Sequence, residues 1–556
     1  MVWRQVIAAK SLNSALDDAV ADHPDAPCFR YFGARFTYRD VGTVVNKVAA
    51  GMQDLGIGPA VHVGLLMPNS LYFVLCYYAI LKAGGTVANY NPLSAVDEIV
   101  RQALDSDTRF LVTLDVETLS AKVEAVRQRT PLVKLILCHP TDILPIPHRW
   151  VFHVMRRRRT ATRPIKKDGC CRLTSLLMGN RQLRPVEVQP LEDVAVLQYT
   201  GGLNGVPKGA MLTHANLYIN AWQASSWLPD LRPGAEKIIV ALPLCHGFGM
   251  TIAINAGVLM AAELILIPQF KSTTVLRAIE KWRATIFPGV PTMFAMIGGF
   301  DQVARYDLSS LKICVSGGAS LPETVKRQFE QRTGCRVIEG YGLTEATAVV
   351  TCNTADEATE ESCVGLPLPG TVVEVVSLSH RKRVLSPGDK GEVCVSGPQV
   401  MKGYWRRPEE TAAALADGRL HTGDAGYVDD SGRLHLTGRI KPLILVGGFN
   451  VYPRIVEEAI RAHPAVADAV AEGIPDEHLG EKVKACVRLR TGQTVTAFEL
   501  RNFLKQRLAP FEMPKQIEFV KTLPHPAAKK STHRRFLANL LRLRWKRRGQ
   551  EDREAA

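Results

Sequence analysis

A chain of 556 residues is too long for a single hydrophobic core, so two or more domains are expected. Its 46% apolar and 22% charged residues are ordinary for a globular protein. Its longest apolar run, Leu71–Leu81, falls short of the roughly 20 residues that a membrane-spanning helix needs. The twelve cysteines contain no CxxC pair, which argues against zinc or dithiol chemistry and for reduced thiols in a cytoplasmic setting; no basic-then-apolar pattern at the N-terminus marks the chain for secretion. The formal charge of +15 is clustered between Arg149 and Lys167 and between Arg534 and Arg548. Each cluster reads either as a solvated face or as a segment attracted to anionic lipid on the inner membrane face, while nucleic acid is disfavoured because no recognition module accompanies the charge.

In chain order, Leu71–Leu81 reads as a buried helix that starts after Pro68-Asn69-Ser70 and ends at the glycines of "KAGG". From about residue 40 to 350, short apolar runs such as "HVGLLMP", "FLVTLD", "VKLILC", "KIIVALPL" and "LILIP" alternate with helical patterns, as in layered, largely parallel α/β sheets. Between 364 and 436 the texture changes to short alternating strands with Gly and Pro turns, which predicts a small antiparallel or barrel-like unit. The remainder reads as a compact α+β unit: helix 454–463, strands 466–475 and 482–489, helix 497–508 and a strand over 517–523. The expected division is a large domain over 1–438, a joint at 439–441, a small C-terminal domain over 442–535 and a basic tail over 536–556.

Chemistry concentrates in a few glycine-rich stretches. In "QYTGGLNGVPKGAMLTH" (Gln198–His214) a strand runs into a glycine turn, and the next helix begins after Thr213. The N–H groups left open at Gly201, Gly202 and Gly205 suit phosphate oxygens, and Lys208 adds a point charge. The order Lys-Gly, without Gly-Lys-Ser/Thr, argues against a Walker-type loop. Two further glycine stretches, "SGGASLP" (Ser316–Pro322) and "EGYGLTEAT" (Glu339–Thr347), each follow a strand, and "HTGDAGYVDDSGRLHLTGR" ends at Arg439.

Taken in order and spacing, these stretches resemble the core motifs of the AMP-forming acyl-CoA synthetase superfamily, with "GVPKGAMLTHANL" and "GGFNVYP" closest to bacterial long-chain fatty-acid–CoA ligases. The resemblance implies activation of a fatty acid by ATP to acyl-AMP and pyrophosphate, then transfer of the acyl group to CoA, with Mg²⁺. It implies Thr200 and Glu345 on the metal side, and Thr344 on the α-phosphate. Tyr341 would lie on one face of the adenine and Gly317, Gly318 and Ala319 on the other, with Gly340 and Gly342 also at the nucleotide. Asp424 would take the ribose hydroxyls and Arg439 would contact ribose and phosphate. His246 and Phe248 would stand at the carboxylate end of the acyl pocket; no acid occurs nearby to pair with an amino group, which favours a carboxylic acid without an α-amine. The resemblance further implies Lys441 as the hinge of a mobile small domain, Lys530 as the catalytic lysine, and Gly447, Gly448 and Phe449 along the CoA channel.

The pattern also breaks. Leu203 and Asn204 stand where hydroxyl residues are usual, Lys529 replaces a glycine beside Lys530, Pro442 follows the hinge lysine, and Ile455 replaces a glutamate. Loss of one charge-assisted hydrogen bond at the loop costs on the order of 1.5–3 kcal/mol. Two alternatives therefore stay open: an enzyme that loads a carrier protein, and a weakly active or non-catalytic nucleotide- or acyl-binding paralogue.

Overall fold

The computed structural model describes residues 8–143, 169–200, 207–227, 230–354, 362–440, 443–476 and 478–524. Gly201, Gly202, Leu203, Asn204, Gly205, Lys441, Pro442, Lys529, Lys530, both basic clusters and the expected tail lie outside them.

Two large sheets carry the N-terminal part, as the α/β alternation predicts. In one, strands 27–31, 263–266, 237–240, 286–289, 313–316 and 337–341 are parallel neighbours in that order, with antiparallel strands at both margins. In the other, strands 194–200, 86–90, 62–66, 110–114, 134–138 and 170–172 run parallel. Leu71–Lys82 is a helix with every residue from Leu71 to Leu81 buried, which explains an apolar stretch that has no polar face. The Ser70 hydroxyl caps it by accepting the Phe73 N–H, and Gly84 leaves it at φ +91°.

One element departs from the expectation at "PKGAMLT". Instead of a turn leading directly into a helix, Lys208–Thr213 is a strand, antiparallel to Val194–Thr200 with Thr200 opposite Lys208. Its other edge pairs with Gly403–Tyr404. Pairing on both sides overrides the local glycine signal, and the glycine stretch becomes the connection of a hairpin. The helix after it, His214–Trp227, is capped by Thr213 as expected, whose hydroxyl accepts the Asn216 N–H at 3.2 Å.

The 364–436 stretch holds an antiparallel sheet of strands 372–376, 391–396 and 420–428, completed by 434–439. The C-terminal unit is a five-stranded sheet with helices Pro453–Arg461 and Ala497–Leu504, and its buried apolar residues, from Ile444 to Leu508, form a core of their own. No helix among the described residues is long and apolar enough to cross a membrane.

Asn69 joins the two large sheets at the mouth of the buried helix. Its amide donates to the Leu242 carbonyl at 2.7 Å and its oxygen accepts the Leu244 N–H at 2.9 Å, with the side chain 8% exposed. Asn69→Ala strands both main-chain groups, and an unpaired buried polar group costs about 1–3 kcal/mol. Urea unfolding should therefore show a destabilisation of about 2–4 kcal/mol with an unchanged denaturant slope.

Candidate active site

Strands 313–316 and 337–341 of the first sheet run into two of the glycine stretches and strand 194–200 of the second sheet into a third, and a cavity of about 1360 Å³, counting its open mouth, lies against these C-terminal ends. Thr200, His246, Phe248, Gly317, Gly318, Gly340, Tyr341, Gly342, Thr344, Glu345 and Arg439 all line it, so residues up to 239 positions apart in the chain meet around one space. This is the placement typical of open α/β sheets, where ligands sit beyond the carboxyl ends of the strands. Packing dictates one glycine and crowds another. A Cβ on Gly342 would lie 1.4 Å from the Ala348 carbonyl oxygen, and one on Gly317 would meet the Phe248 ring at 3.1 Å.

Asp424 does not itself line the cavity. It is 3% exposed and sits behind Tyr341, accepting the Tyr341 hydroxyl at 2.7 Å on one oxygen and Arg439 Nε at 2.8 Å on the other. Burial raises its carboxyl above the usual carboxylate value, opposed by the Arg439 charge and the Tyr341 hydrogen bond. Ala319 and Gly447 are also absent from the lining, as is Lys208, whose ammonium lies 5.1 Å from the centre of the Tyr404 ring. The Tyr404 hydroxyl in turn donates to Glu345 at 2.8 Å. Tyr404 was not visible as a site residue in the sequence: it lies 59 positions from Glu345 and reaches it only through the short pairing of its strand with 208–213.

The small unit reaches the same space. Gly448, Asn450 and Tyr452 line the first cavity, and the Tyr452 hydroxyl is 3.1 Å from the Thr200 hydroxyl. Gly448 has φ +84°, and a Cβ there would fall 2.7 Å from Val290 of the large unit, so the contact admits only glycine. A second cavity of about 760 Å³ runs between the two units and is lined by Phe449, Asn450, Tyr452, Phe511 and Glu512 on one side and by Asn89, Gln198 and Glu98 on the other. Thr200, His246, Thr344, Asn450 and Tyr452 border both cavities. "GGFNVYP" pointed to this border through its glycines and Phe449; Tyr452 is the member that makes the hydrogen bond.

Electrostatics follow from burial. The His246 imidazole is pushed below its usual value by desolvation and is neutral near pH 7, with Nδ1 turned to the Phe248 N–H at 3.4 Å. Glu98 and Glu512 face the second cavity, and both are held above the ordinary carboxylate value by burial, Glu512 also by the charge of Glu98. Glu339 accepts the Leu321 N–H at 2.9 Å and thereby ties the "SGGASLP" loop to the strand before Tyr341; burial lifts its carboxyl from 4.5 to about 7. Neither Glu339 nor this tie was anticipated, because its partner is a main-chain group on another loop.

Comparison with known proteins agrees with the geometry. The profile of the AMP-binding enzyme matches residues 16–405, and that of the AMP-binding enzyme C-terminal domain matches residues 455–530. A long-chain-fatty-acid–CoA ligase of Bacillus subtilis (strain 168) is 38% identical over 530 residues, 95% of this chain and 94% of its own. A long-chain-fatty-acid–CoA ligase of Escherichia coli O157:H7 is 34% identical over 521 residues, 93% of this chain and 92% of its own. Among solved structures, the amide bond synthetase McbA from Marinactinospora thermotolerans superposes with a TM-score of 0.80 at 27% identity, covering 93% of this chain and 97% of that one.

The raised Glu339 carboxyl fixes a pH dependence. Between pH 4.5 and 7 the folded protein holds a proton that the unfolded chain has released, so stability falls as pH rises through this window and the loss is complete above it. Glu339→Gln keeps an acceptor for Leu321 and removes the titration. The stability difference between variant and wild type should move in favour of the variant by up to about 3 kcal/mol across that window, read by urea unfolding at a series of pH values.

Proposed function

The chain belongs to the AMP-binding enzyme family, and from that premise we propose that it is an acid–thiol ligase that activates a fatty acid with ATP and passes the acyl group to CoA. The observation that carries this reading is the meeting of two cavities on Thr200, His246 and Thr344: one with an apolar wall of Phe248, Ile252, Ala256 and Met260, the other an inter-unit passage. An acyl chain fits the first and the slender arm of a thiol cofactor fits the second. The likeness to two ligases named for long-chain fatty acids supports both the acid and the acceptor.

In the first step a carboxylate oxygen attacks the α-phosphorus of ATP and pyrophosphate leaves. In the second, the thiol sulfur attacks the acyl carbon, AMP leaves and the thiol proton is released. Neutral His246 orients the carboxylate without pairing it into a salt, Thr344 donates to the α-phosphate, and Tyr341 lies along the adenine opposite Gly317 and Gly318. Asp424 would reach the ribose hydroxyls by exchanging the Tyr341 or Arg439 bond that now holds it behind the cavity wall, and Lys208, which also stands outside the lining, would add its charge for the phosphates. Thr200 and Glu345 would hold magnesium, since hydroxyl and carboxylate oxygens are the hard donors this ion prefers, and the ion would neutralise phosphate charge there. Lys530, beyond the described residues, brings an ammonium to the charge that develops at the reacting phosphate, with the small unit turning about Lys441 between the two steps.

Pyrophosphate release with a panel of acids, followed by detection of the thioester with CoA and a carrier protein both present, tests the reading and separates it from carrier loading. Lys530→Ala should lower acid-dependent pyrophosphate release by about a hundredfold or more while transfer from supplied acyl-adenylate to CoA persists. Activity untouched by that substitution removes the assignment of Lys530, and absence of pyrophosphate release with every acid favours the non-catalytic paralogue.

A further inference from the structure

The first cavity has a measurable depth. Phe248, Ile252, Ala256 and Met260 all line it and recur every fourth residue, through the π-helix Gly249–Asn255 and the α-helix Ala256–Leu259. Residues four apart share one helix face, so these side chains form one wall. At a rise of 1.5 Å per residue, somewhat less in π turns, that wall is roughly 15–18 Å long.

The facing wall is the parallel sheet. Ile238 pairs with Ile286 and Ile286 with Ile313 at one level, while Val315 pairs with Ile338 two residues further along. Ile238, Ile286, Val315 and Ile338 line the cavity, and Gly317 and Gly340 continue it to the nucleotide end. Four residues separate Ile313 from Gly317, about 13 Å at 3.3 Å per residue. Two contacts tie the walls together: Phe248 against Gly317 at the top, and, at the bottom, Gly257, where a Cβ would lie 3.1 Å from Ile238 Cδ1. Helix and sheet therefore give the same depth, and Met260 lies about one further turn below.

Met260 closes this end together with Trp227 and Leu231, which also line the cavity. The floor is fastened, since the Met260 carbonyl accepts the Gly234 N–H at 2.8 Å and the Trp227 indole donates to the Asn353 carbonyl at 3.2 Å. The carboxylate and guanidinium of the lining, Glu345 and Arg439, stand at the nucleotide end among the described residues. A charged chain terminus would therefore be buried at the floor without an opposite charge to pair with.

We propose that Ala256 and Met260 set the acyl chain length, Ala256 by leaving the passage open midway and Met260 by ending it, and that the site takes unsubstituted straight-chain acids of about 12–14 carbons. The length follows from an advance of about 1.3 Å per methylene, the projection of a carbon–carbon bond of about 1.5 Å along an extended chain. This assignment rests on the ligase reading above for the identity of the acid, and on the two walls alone for its length.

The test compares wild type, Ala256→Phe and Met260→Ala by pyrophosphate-release kcat/KM over saturated acids of four to eighteen carbons. Wild type should peak at about twelve to fourteen carbons. Ala256→Phe should raise the ratio of eight-carbon to fourteen-carbon kcat/KM at least tenfold, and Met260→Ala should lower that ratio and move the peak about two carbons longer. Displacement of a fluorescent fatty acid from the same three proteins reads the cleft without turnover and should give the same order of lengths. Ratios that stay at the wild-type value in both variants, or a wild-type peak below eight carbons, overturn the proposal. If displacement keeps the expected order while wild type releases no pyrophosphate with any acid, the length assignment stands and the ligase reading falls.

Discussion

The pair formed by buried Asp424 and exposed Arg439 is the constraint on which the rest of the site depends. A carboxylate at 3% exposure is costly unless it is paired and hydrogen-bonded, and here both oxygens are engaged, one by Arg439 and one by the Tyr341 hydroxyl. The pair spans two strands of the antiparallel unit, directly opposite each other in the ladder. Tyr341 ends a strand of the large sheet, so one small network fixes the antiparallel unit against that sheet. Arg439 is also the last residue of its strand, and the small unit's first strand begins at Ile444. The Tyr341–Asp424–Arg439 network and the anchorage of the inter-unit joint are thus one piece of chemistry.

From that anchorage the small unit delivers a tight set of contacts to the cavity mouth. Gly448 on Val290 and Tyr452 on Thr200 are close approaches made by a segment of five residues, one dependent on a missing side chain and the other on a hydroxyl. Phe449 turns the other way, stacking on Phe511 with ring centres 4.4 Å apart and closing the side of the second cavity. The same short hairpin therefore faces both spaces, which is why the two cavities share a border.

Much of this was legible in the sequence where the signal is local. The apolar strands of the parallel sheets, the helix after Ser70 and the separate C-terminal unit all announce themselves in runs of residues close in the chain. So did Thr200, Tyr341, Thr344 and Glu345, because each sits in or beside a glycine turn that ends a strand. The strand Lys208–Thr213 was hidden because its stability comes from partners on both edges, one of them Gly403–Tyr404. Tyr404, Glu339 and the wall of Ile238, Ile286, Val315 and Ile338 were hidden for the same reason: each gains its meaning from a neighbour supplied by a distant strand. The motif assigns Asp424 to the nucleotide, whereas its side chain packs behind Tyr341 and outside the cavity lining, a matter of side-chain packing that no spacing encodes.

The hydrogen bond between Tyr452 and Thr200 has a consequence for how the two units are coupled. On the proposed reaction Thr200 would hold magnesium, and in this arrangement its hydroxyl already meets the Tyr452 hydroxyl of the small unit. A hydroxyl carries one hydrogen and two lone pairs, so it can keep Tyr452 and still turn a lone pair to the ion. One oxygen would then touch both units at once, and whatever fills the large unit's side is felt directly by the hairpin that carries Tyr452.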